Sequence, residues 1–298
     1  MGKVSTPRGR PIVGAIIVTY HPSPQIRDHI AVLRPQVDEL VIVDNGSNAA
    51  ERANLENLAR VFRCRSIFNE QNLGLAAALN LGIRCIEESA CAFVVLFDQD
   101  SCVSPEFVAS MLSSYRLFAS DLPVALVAPT YIDKKSHVPI PLPTNRKGLV
   151  MTTMTSGSFI PLKTIRICGL FDEAFFVDYV DTEYCLRVQA EGLVIVQSDT
   201  AQLFHSLGNL AFHRIAGRNF SVTNHSASRR YYITRNRLFL YRRYLSRSFE
   251  WAAWDFRRML AETVKLILVE DDRPRKIVSI LRGVGDALFG RSGYRVPL

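Results

Sequence analysis

One stretch of the sequence predicts the architecture: Ala92-Phe93-Val94-Val95-Leu96-Phe97-Asp98-Gln99-Asp100-Ser101. Its uncharged first part, rich in valine and phenylalanine, is typical of a strand buried on both faces. Ligands of open α/β sheets bind beyond the carboxyl ends of such strands. Two carboxylates held there repel each other unless a cation lies between them, and a divalent metal carrying a phosphate is the simplest such partner. The alternative is a turn in which Asp98 and Asp100 only cap the backbone.

Three earlier apolar segments also end in polar residues. They finish at Thr19, Asp44 and Asn69, and predicted helices separate them. Alternation of strands and helices predicts an α/β fold with a mostly parallel sheet wrapped by helices. Because the carboxyl ends of parallel strands share one edge of a sheet, we expect these three residues and Asp98 to converge on one crevice.

The second half of the chain is less regular. A strand is predicted over residues 155–160, with Gly157 inside it, and a short strand over 193–196 leads to His205. Between them, residues 171–187 combine acidic and aromatic side chains and open a helix. This acidic segment is the second place where chemistry is expected.

The positive charge of the protein is concentrated near its C-terminus. The 298 residues are 48% hydrophobic and 21% charged, which is ordinary for a globular protein, and the net charge is +8. Residues 229–298 contain 16 Lys and Arg against 7 Asp and Glu, whereas the remainder contains 20 against 21. The C-terminal part is therefore expected to contact an anionic surface.

The spacing of the cysteines and the composition of the N-terminal residues predict a cytosolic location. The six cysteines show no C-x-x-C or zinc-ligand spacing, which favours reduced thiols. Residues 1–11 are basic and contain two prolines, but no apolar signal segment follows, so a flexible terminus is expected. No uncharged apolar segment reaches about 18 residues, and no transmembrane helix is predicted.

Five motifs, in this order, resemble the family 2 glycosyltransferases of the GT-A fold. They are Thr19-Tyr20, Val43-Asp44-Asn45-Gly46-Ser47, Asn69-x-x-Asn72-x-Gly74, Asp98-Gln99-Asp100 (the D-x-D motif), and the run from Phe171-Asp172-Glu173 to Asp181-Thr182-Glu183. The bacterial rhamnosyltransferase branch is similar in Asp98-Gln99-Asp100-Ser101, in residues 176–184, and in Asn224-His225 with Arg229-Arg230-Tyr231-Tyr232-x-x-Arg235-Asn236.

The resemblance also implies a domain organisation. It covers about residues 12–240, with a nucleotide-sugar half at about 12–103 and an acceptor half at about 104–240. Residues 241–298 are then expected to form a basic, amphipathic helical appendage.

The resemblance implies a donor site and a metal site. The rhamnosyltransferase branch uses dTDP-L-rhamnose and builds rhamnolipids, O-antigen or lipopolysaccharide core. Donor contacts are implied for Thr19, Tyr20, Asp44, Asn45, Asn69, Asn72, Gly74, Asp98 and Gln99. The nucleoside diphosphate leaves with developing negative charge, which a divalent metal stabilises, so Mg2+ or Mn2+ is expected. The implied metal ligands are Asp98, Asp100 and His205.

Some of these assignments have alternatives. Gln99 stands where many relatives carry another acid, which removes one metal ligand. A plain loop before a helix is the alternative for residues 69–74, and a structural histidine is the alternative for His205.

The acceptor hydroxyl has to lose a proton as it attacks, and an inverting displacement needs one positioned carboxylate as general base. By the resemblance, Asp181 is that base and Asp178 is a second candidate. Capping of the following helix is the alternative for both. Acceptor contacts are implied for Ser156, Gly157, Ser158, Asp178, Glu183, Arg235 and Asn236.

The C-terminal part contains an amphipathic helix pattern. Its apolar positions, at three- and four-residue steps, are Ala253, Phe256, Leu260, Val264 and Ile267. The opposite face carries Asp255, Arg258, Glu262 and Lys265. With Trp251, Trp254 and the positive charge, this pattern predicts a helix that lies on an anionic membrane. The alternative is a helix packed on the catalytic domain.

The sequence therefore predicts an inverting, metal-dependent glycosyltransferase. It would move L-rhamnose from dTDP-L-rhamnose to a lipid or lipid-linked saccharide, in the cytoplasm and peripherally on the inner face of the cell membrane. A family member with another nucleotide sugar is the first alternative, because spacing alone does not select rhamnose. A basic nucleic-acid-binding protein is the second. It explains the charge but not the polar strand ends, and no RNA-binding signature is present, so no nucleic-acid partner is expected.

Overall fold

The computed structural model describes residues 10–205, 211–215, 218–222 and 224–297. The flexible N-terminus predicted for residues 1–11 lies outside the described residues, except for its last two. Four parallel strands open the chain, as predicted. They are β1 (Val13–Thr19), β2 (Glu39–Asp44), β3 (Arg65–Phe68) and β4 (Phe93–Asp98). They are connected by helices α1 (Ile26–Leu33), α2 (Ala49–Phe62) and α3 (Leu75–Glu87).

The second half adds strands of both directions to the same sheet. Its elements are β5 (Cys102–Val103), α4 (Phe107–Phe118), β6 (Val124–Asp133), β7 (Pro139–Ile140), β8 (Phe159–Pro161), α5 (Leu162–Cys168), α6 (Val180–Ala190) and β9 (Val194–His205). The spatial order is β3-β2-β1-β4-β8-β6-β9-β5, with β7 against β6. Because β8 is antiparallel to both β4 and β6, the sheet is parallel in its first half and mixed in its second.

Two strand predictions are corrected. The strand predicted over residues 155–160 begins only at Phe159, because the chain turns before it and Gly157 takes the left-handed φ of +83°. The short strand predicted over residues 193–196 continues as β9 to His205. The long β9 carries this histidine to the edge where β4 ends.

Each face of the sheet is covered by its own apolar cluster. Alternate side chains of β1 show the pattern: Ile16 packs with α3, α5 and α6, whereas Ile17 packs with α1, α2 and α4. Side chains of successive strand residues point to opposite faces, so a strand covered on both sides must be apolar throughout. This explains why all seven residues of β1 are buried.

The C-terminal helices are part of the folded body. They are α7 (Ala227–Tyr244), α8 (Phe249–Val269) and α9 (Arg273–Leu288), preceded by a two-stranded antiparallel sheet of β10 (Ala211–Ile215) and β11 (Arg218–Val222). The boundary predicted at residue 240 falls inside α7, and Trp251 is 2% exposed in the main core. A Cβ added at Gly283 of α9 would lie 2.7 Å from the Tyr231 carbonyl oxygen, so α9 packs closely on α7. The predicted C-terminal helices are thus present, and they pack on the body of the fold.

Helix α8 is amphipathic, as predicted, but its polar face points inward. Asp255 is 1% exposed, whereas the apolar Leu260 and Val264 are 49% and 54% exposed. No helix among the described residues combines the length and the hydrophobicity needed to cross a bilayer.

Candidate active site

The D-x-D motif lies at the end of β4, beside the end of β9. Strand β5, which follows the motif, pairs antiparallel with β9, with Cys102 opposite Phe204. This pairing brings His205 to the motif from more than a hundred residues away. One potential ligand atom from each of Asp98, Asp100 and His205 lies within 4.8 Å of the others.

The electrostatics of this cluster fit a divalent cation. Burial, followed by the Asp100 and Asp181 carboxylates, raises the pKa of Asp98 to about 7. Burial lowers the pKa of His205, so its imidazole is neutral near pH 7. Its Nδ1 atom is buried and has no hydrogen-bond partner among the described residues. A neutral imidazole with a free nitrogen and two repelling carboxylates form a donor set suited to a divalent metal.

The turn before β8 supports the D-x-D motif. The backbone N–H of Asp98 donates to Ser156 Oγ at 3.2 Å, and that hydroxyl also bonds the Ser101 hydroxyl. Ser158 Oγ donates to the Met154 carbonyl, and a Cβ added at Gly157 would meet the Pro129 ring. The two serines are buried and hydrogen-bonded, so in this conformation they support the turn beside the D-x-D motif, and the acceptor contacts of Ser156, Gly157 and Ser158 stay predictions.

The ends of β1 and β2 are tied together at the floor of the crevice. Thr19 Oγ1 donates to Asp44 Oδ1 at 3.0 Å, and the Ser47 N–H donates to Asp44 Oδ2 at 3.0 Å. Thr19 and Asp44 are fully buried, so in this conformation they hold the strand ends and do not form an open contact surface. Above them, the exposed Tyr20 donates its N–H to Gln99 Oε1 at 2.8 Å.

The predicted donor residues Asn45, Asn69 and Asn72 form a connected amide network. Asn69 Nδ2 donates to Asn45 Oδ1 at 3.0 Å, and Asn45 Nδ2 donates to Asn72 Oδ1 at 2.9 Å. At Gly74, where φ is +91°, an added Cβ would lie 2.6 Å from the Phe176 carbonyl oxygen. The glycine is therefore required for close approach of residue 176, which joins this loop to the acidic segment.

The acidic segment places Asp181 over the same crevice. Asp178 and Tyr179 take left-handed φ values of +58° and +64°, and α6 begins directly after them. Burial raises the pKa of Asp181, although a hydrogen bond from the Thr182 N–H opposes this. The Asp181 charge in turn contributes to the raised pKa of Asp98. A carboxylate with a raised pKa is a suitable proton acceptor.

Arg229 is a residue of this site that the sequence analysis did not assign. Its Nε and Nη2 atoms donate to Asp178 at 3.0 and 2.9 Å, so Asp178 is ion-paired and does not cap α6. The Arg229 charge also acts on Asp98, whose pKa it lowers. The only signal in the sequence was the Arg-Arg-Tyr-Tyr run at the start of α7.

Three residues with predicted acceptor contacts have buried side chains that bond to other protein groups in this structure. Glu183, 1% exposed, accepts from Arg187, Arg243 and Tyr244. Arg235 donates to the carbonyls of Ala174 and Gly293. Asn236 donates to those of Val177 and Asp178. All three hold the acidic segment in place, and none of them reaches the crevice surface.

Comparison with known proteins agrees with this geometry. The Glycosyl transferase family 2 profile matches residues 15–140. The dTDP-rhamnosyl transferase RfbF of Shigella flexneri is 31% identical over 245 residues, which cover 77% of this chain and 79% of that protein.

Two solved structures share the fold. The mannosyltransferase PcManGT from Pyrobaculum calidifontis, in complex with GDP-Man and Mn2+, is 14% identical with a TM-score of 0.58, over 96% of this chain and 89% of that chain. GalNAc-T7 with UDP, GalNAc and Mn2+ is 13% identical with a TM-score of 0.55, over 69% of this chain and 44% of that chain. The predicted GT-A fold is confirmed, and the chain belongs to the family 2 glycosyltransferases.

Proposed function

We propose that this glycosyltransferase moves L-rhamnose from dTDP-L-rhamnose, with inversion, to a lipid or lipid-linked saccharide. One observation carries the proposal: Asp98, Asp100 and His205 form a metal-ligand cluster at the end of β4, and Asp181, whose charge acts on Asp98, is a separate carboxylate with a raised pKa. The similarity to the Shigella flexneri dTDP-rhamnosyl transferase supports the choice of donor.

The cluster of Asp98, Asp100 and His205 would hold Mg2+ or Mn2+. Mn2+ is present in both of the similar solved structures, which supports the same class of ion here. When bound, the ion supplies positive charge to the diphosphate as it leaves. Gln99 offers no carboxylate, and through Tyr20 it links the end of β1 to the D-x-D turn.

Asp181 is proposed as the general base. The acceptor oxygen forms a bond to the anomeric carbon while the bond from that carbon to the diphosphate breaks, and Asp181 takes the proton of the acceptor hydroxyl. Arg229 keeps the neighbouring Asp178 paired, and it places a positive charge on the diphosphate side of the crevice near Asp98. Opposite charge positioned where negative charge develops accelerates the reaction.

The exposed face of α8 supports a location at the inner face of the cell membrane. Phe256, Leu260, Val264, Ile267 and Leu268 are 48% to 61% exposed along this helix. On α9, the exposure of Val278, Leu281 and Leu288 is 65% to 73%. Many exposed apolar side chains, in a C-terminal part of the chain that has net positive charge, are suited to binding an anionic bilayer.

A donor panel tests the proposal. Thermal unfolding is measured with dTDP-L-rhamnose, dTDP-D-glucose, UDP-glucose and GDP-mannose, each with Mn2+ or with a chelator. We expect stabilisation by dTDP-L-rhamnose with metal, of about 2.7 kcal/mol at a hundredfold excess over Kd. In the thermal unfolding assay, Asp181→Asn should keep this stabilisation. Its turnover, measured separately, should fall roughly 10²- to 10⁴-fold. Stabilisation by another sugar nucleotide instead, or near-normal turnover of Asp181→Asn, would contradict the corresponding assignment.

A further inference from the structure

A groove with a volume of about 170 Å³ lies between α7, α8 and α9. Its apolar lining comes equally from the three helices: Ile233 and Leu238, Met259 and Leu266, and Ile280 and Val284. A single water needs only about 10–15 Å³ of such space, so the groove has room for a much larger group. The crevice of the active site contributes none of these residues.

Exposed apolar residues follow two of the lining residues in the sequence. Leu260 and Leu281, which come directly after Met259 and Ile280, are 49% and 65% exposed and do not line the groove. The apolar lining of the groove is poorly solvated by water, and it matches a flexible aliphatic chain.

One part of the groove is cationic. Arg230 lines it, is 5% exposed, and pairs with Glu270, but its Nε atom has no hydrogen-bond partner among the described residues. Lys276, 3% exposed, donates to the same Glu270 at 2.9 Å. Arg237 and Glu262 also line the groove, and they pair with each other at 3.1 Å. Arg230 and Lys276 share the one carboxylate of Glu270, which leaves an excess of one positive charge in this group. Buried charge of this kind is stabilised by an anion.

We propose that this groove binds an aliphatic phosphate ester, with its hydrocarbon chain between the three helices and its phosphate at Arg230. The inference rests on the proposed function, because it gives the lipid of the acceptor a binding site on the enzyme. Arg230 directly follows Arg229, which binds Asp178 beside the crevice. The two consecutive arginines of α7 thus bond different partners, Arg229 the acidic segment and Arg230 the carboxylate of Glu270.

Binding of dodecyl phosphate to the full-length protein, below its micelle concentration, tests the groove by calorimetry. We expect it to bind at least tenfold tighter than inorganic phosphate or dodecyltrimethylammonium, since both the chain and the negative charge contribute. Ile280→Trp fills the groove and should weaken binding at least tenfold. Leu281→Trp, the neighbouring exposed position on α9, is the matched control and should bind like the wild type.

Several outcomes would overturn the inference. Unchanged binding to Ile280→Trp, equal loss in Leu281→Trp, or equal affinity for inorganic phosphate would each show that the groove does not take the chain. If Ile280→Trp lowers the melting temperature, Met259→Trp on the opposite wall repeats the test. The donor-induced stabilisation, measured on the same samples, separates the two hypotheses. If it persists while dodecyl phosphate does not bind, only the groove proposal fails, and if it is absent from the wild type, the proposed function fails.

Discussion

Asp98 is the residue on which the charge balance of the crevice depends. It is half-buried, and two other carboxylates, Asp100 and Asp181, act on it, so its pKa rises to about 7. Arg229 opposes this rise only in part. Without a cation, ionised Asp98 therefore destabilises the folded protein, and with a cation the same repulsion becomes attraction.

The metal-free protein should accordingly lose stability as pH rises. The folded-state pKa of Asp98 is raised, so its stabilising contribution is full below about pH 4 and is lost as the pH passes through about 7. The free energy of unfolding should fall by at most about 1.4 kcal/mol per pH unit in this range. Urea unfolding in the presence of a chelator, compared between the wild type and Asp98→Asn, measures it. We expect the variant to gain stability relative to the wild type between pH 5 and pH 8, and parallel pH profiles would contradict this account.

At the scale of elements, the acidic segment is held in place by α7. Asn236 donates to two of its carbonyls, Arg229 binds Asp178, and Arg243 and Tyr244 bind Glu183. The segment itself includes two consecutive residues with left-handed φ, a conformation that non-glycine residues rarely take. External hydrogen bonds from α7 compensate for this conformation and fix where α6, and with it Asp181, begins.

Glu183→Gln tests whether this glutamate supports the fold or binds the acceptor. Its carboxylate is 1% exposed and pairs with Arg187 and Arg243, so neutralising it removes the only side-chain ion pair described for the partly buried Arg187, whereas Arg243 keeps its pair with Asp172. We expect a loss of about 3 kcal/mol in the free energy of unfolding, measured in urea. The acceptor KM should stay within about twofold. Glu191→Gln, an exposed position that ends the same helix, is the control. An unchanged stability with a large rise in KM would restore the acceptor role.

At the scale of the whole molecule, α8 and α9 each have an apolar side that is exposed. Helix α8 turns this side outward because its polar face has partners inside: Asp255 accepts from Tyr179, Arg237 and Tyr241. Tyr179 directly precedes α6, so the helix that would contact a membrane also contacts the start of the catalytic helix. The exposed apolar side of α8 and the acidic segment are thus parts of one packed unit.

Replacing both Leu260 and Val264 by Glu should remove membrane binding without unfolding the protein. Each side chain is about half exposed, so the melting temperature should change little. Burial of an aliphatic side chain contributes about 1.5–3 kcal/mol, so binding to vesicles of phosphatidylglycerol and phosphatidylcholine should fall at least tenfold. Leu117→Glu on α4, where the side chain is 68% exposed, is the matched control. Equal sedimentation of the double variant and the wild type with vesicles would contradict a role for α8.

The sequence predicted the local features that depend on short-range patterns. Four strands in the first hundred residues, their polar ends and the helices between them follow from hydrophobic periodicity and turn residues. Asp98, Asp100 and Asp181 are predicted as site residues for the same reason, since each stands in a recognisable motif. The amphipathic pattern of α8 was also visible, because a helix repeats every 3.6 residues whatever its surroundings.

The tertiary structure decided which of these side chains meet and which face is buried. Pairing of β5 with β9 brings His205 to Asp98, and packing of α7 pairs Arg229 with Asp178 while it buries Glu183, Arg235 and Asn236. Periodicity does not show whether the polar or the apolar side of a helix turns inward. In α8, the hydrogen-bond partners of the buried Asp255 decide that its side of the helix turns inward. The D-x-D stretch at the end of β4 thus determined by itself where the candidate metal-ligand cluster would begin. Only contacts between distant segments completed the cluster, because burial and electrostatic partners depend on the whole fold.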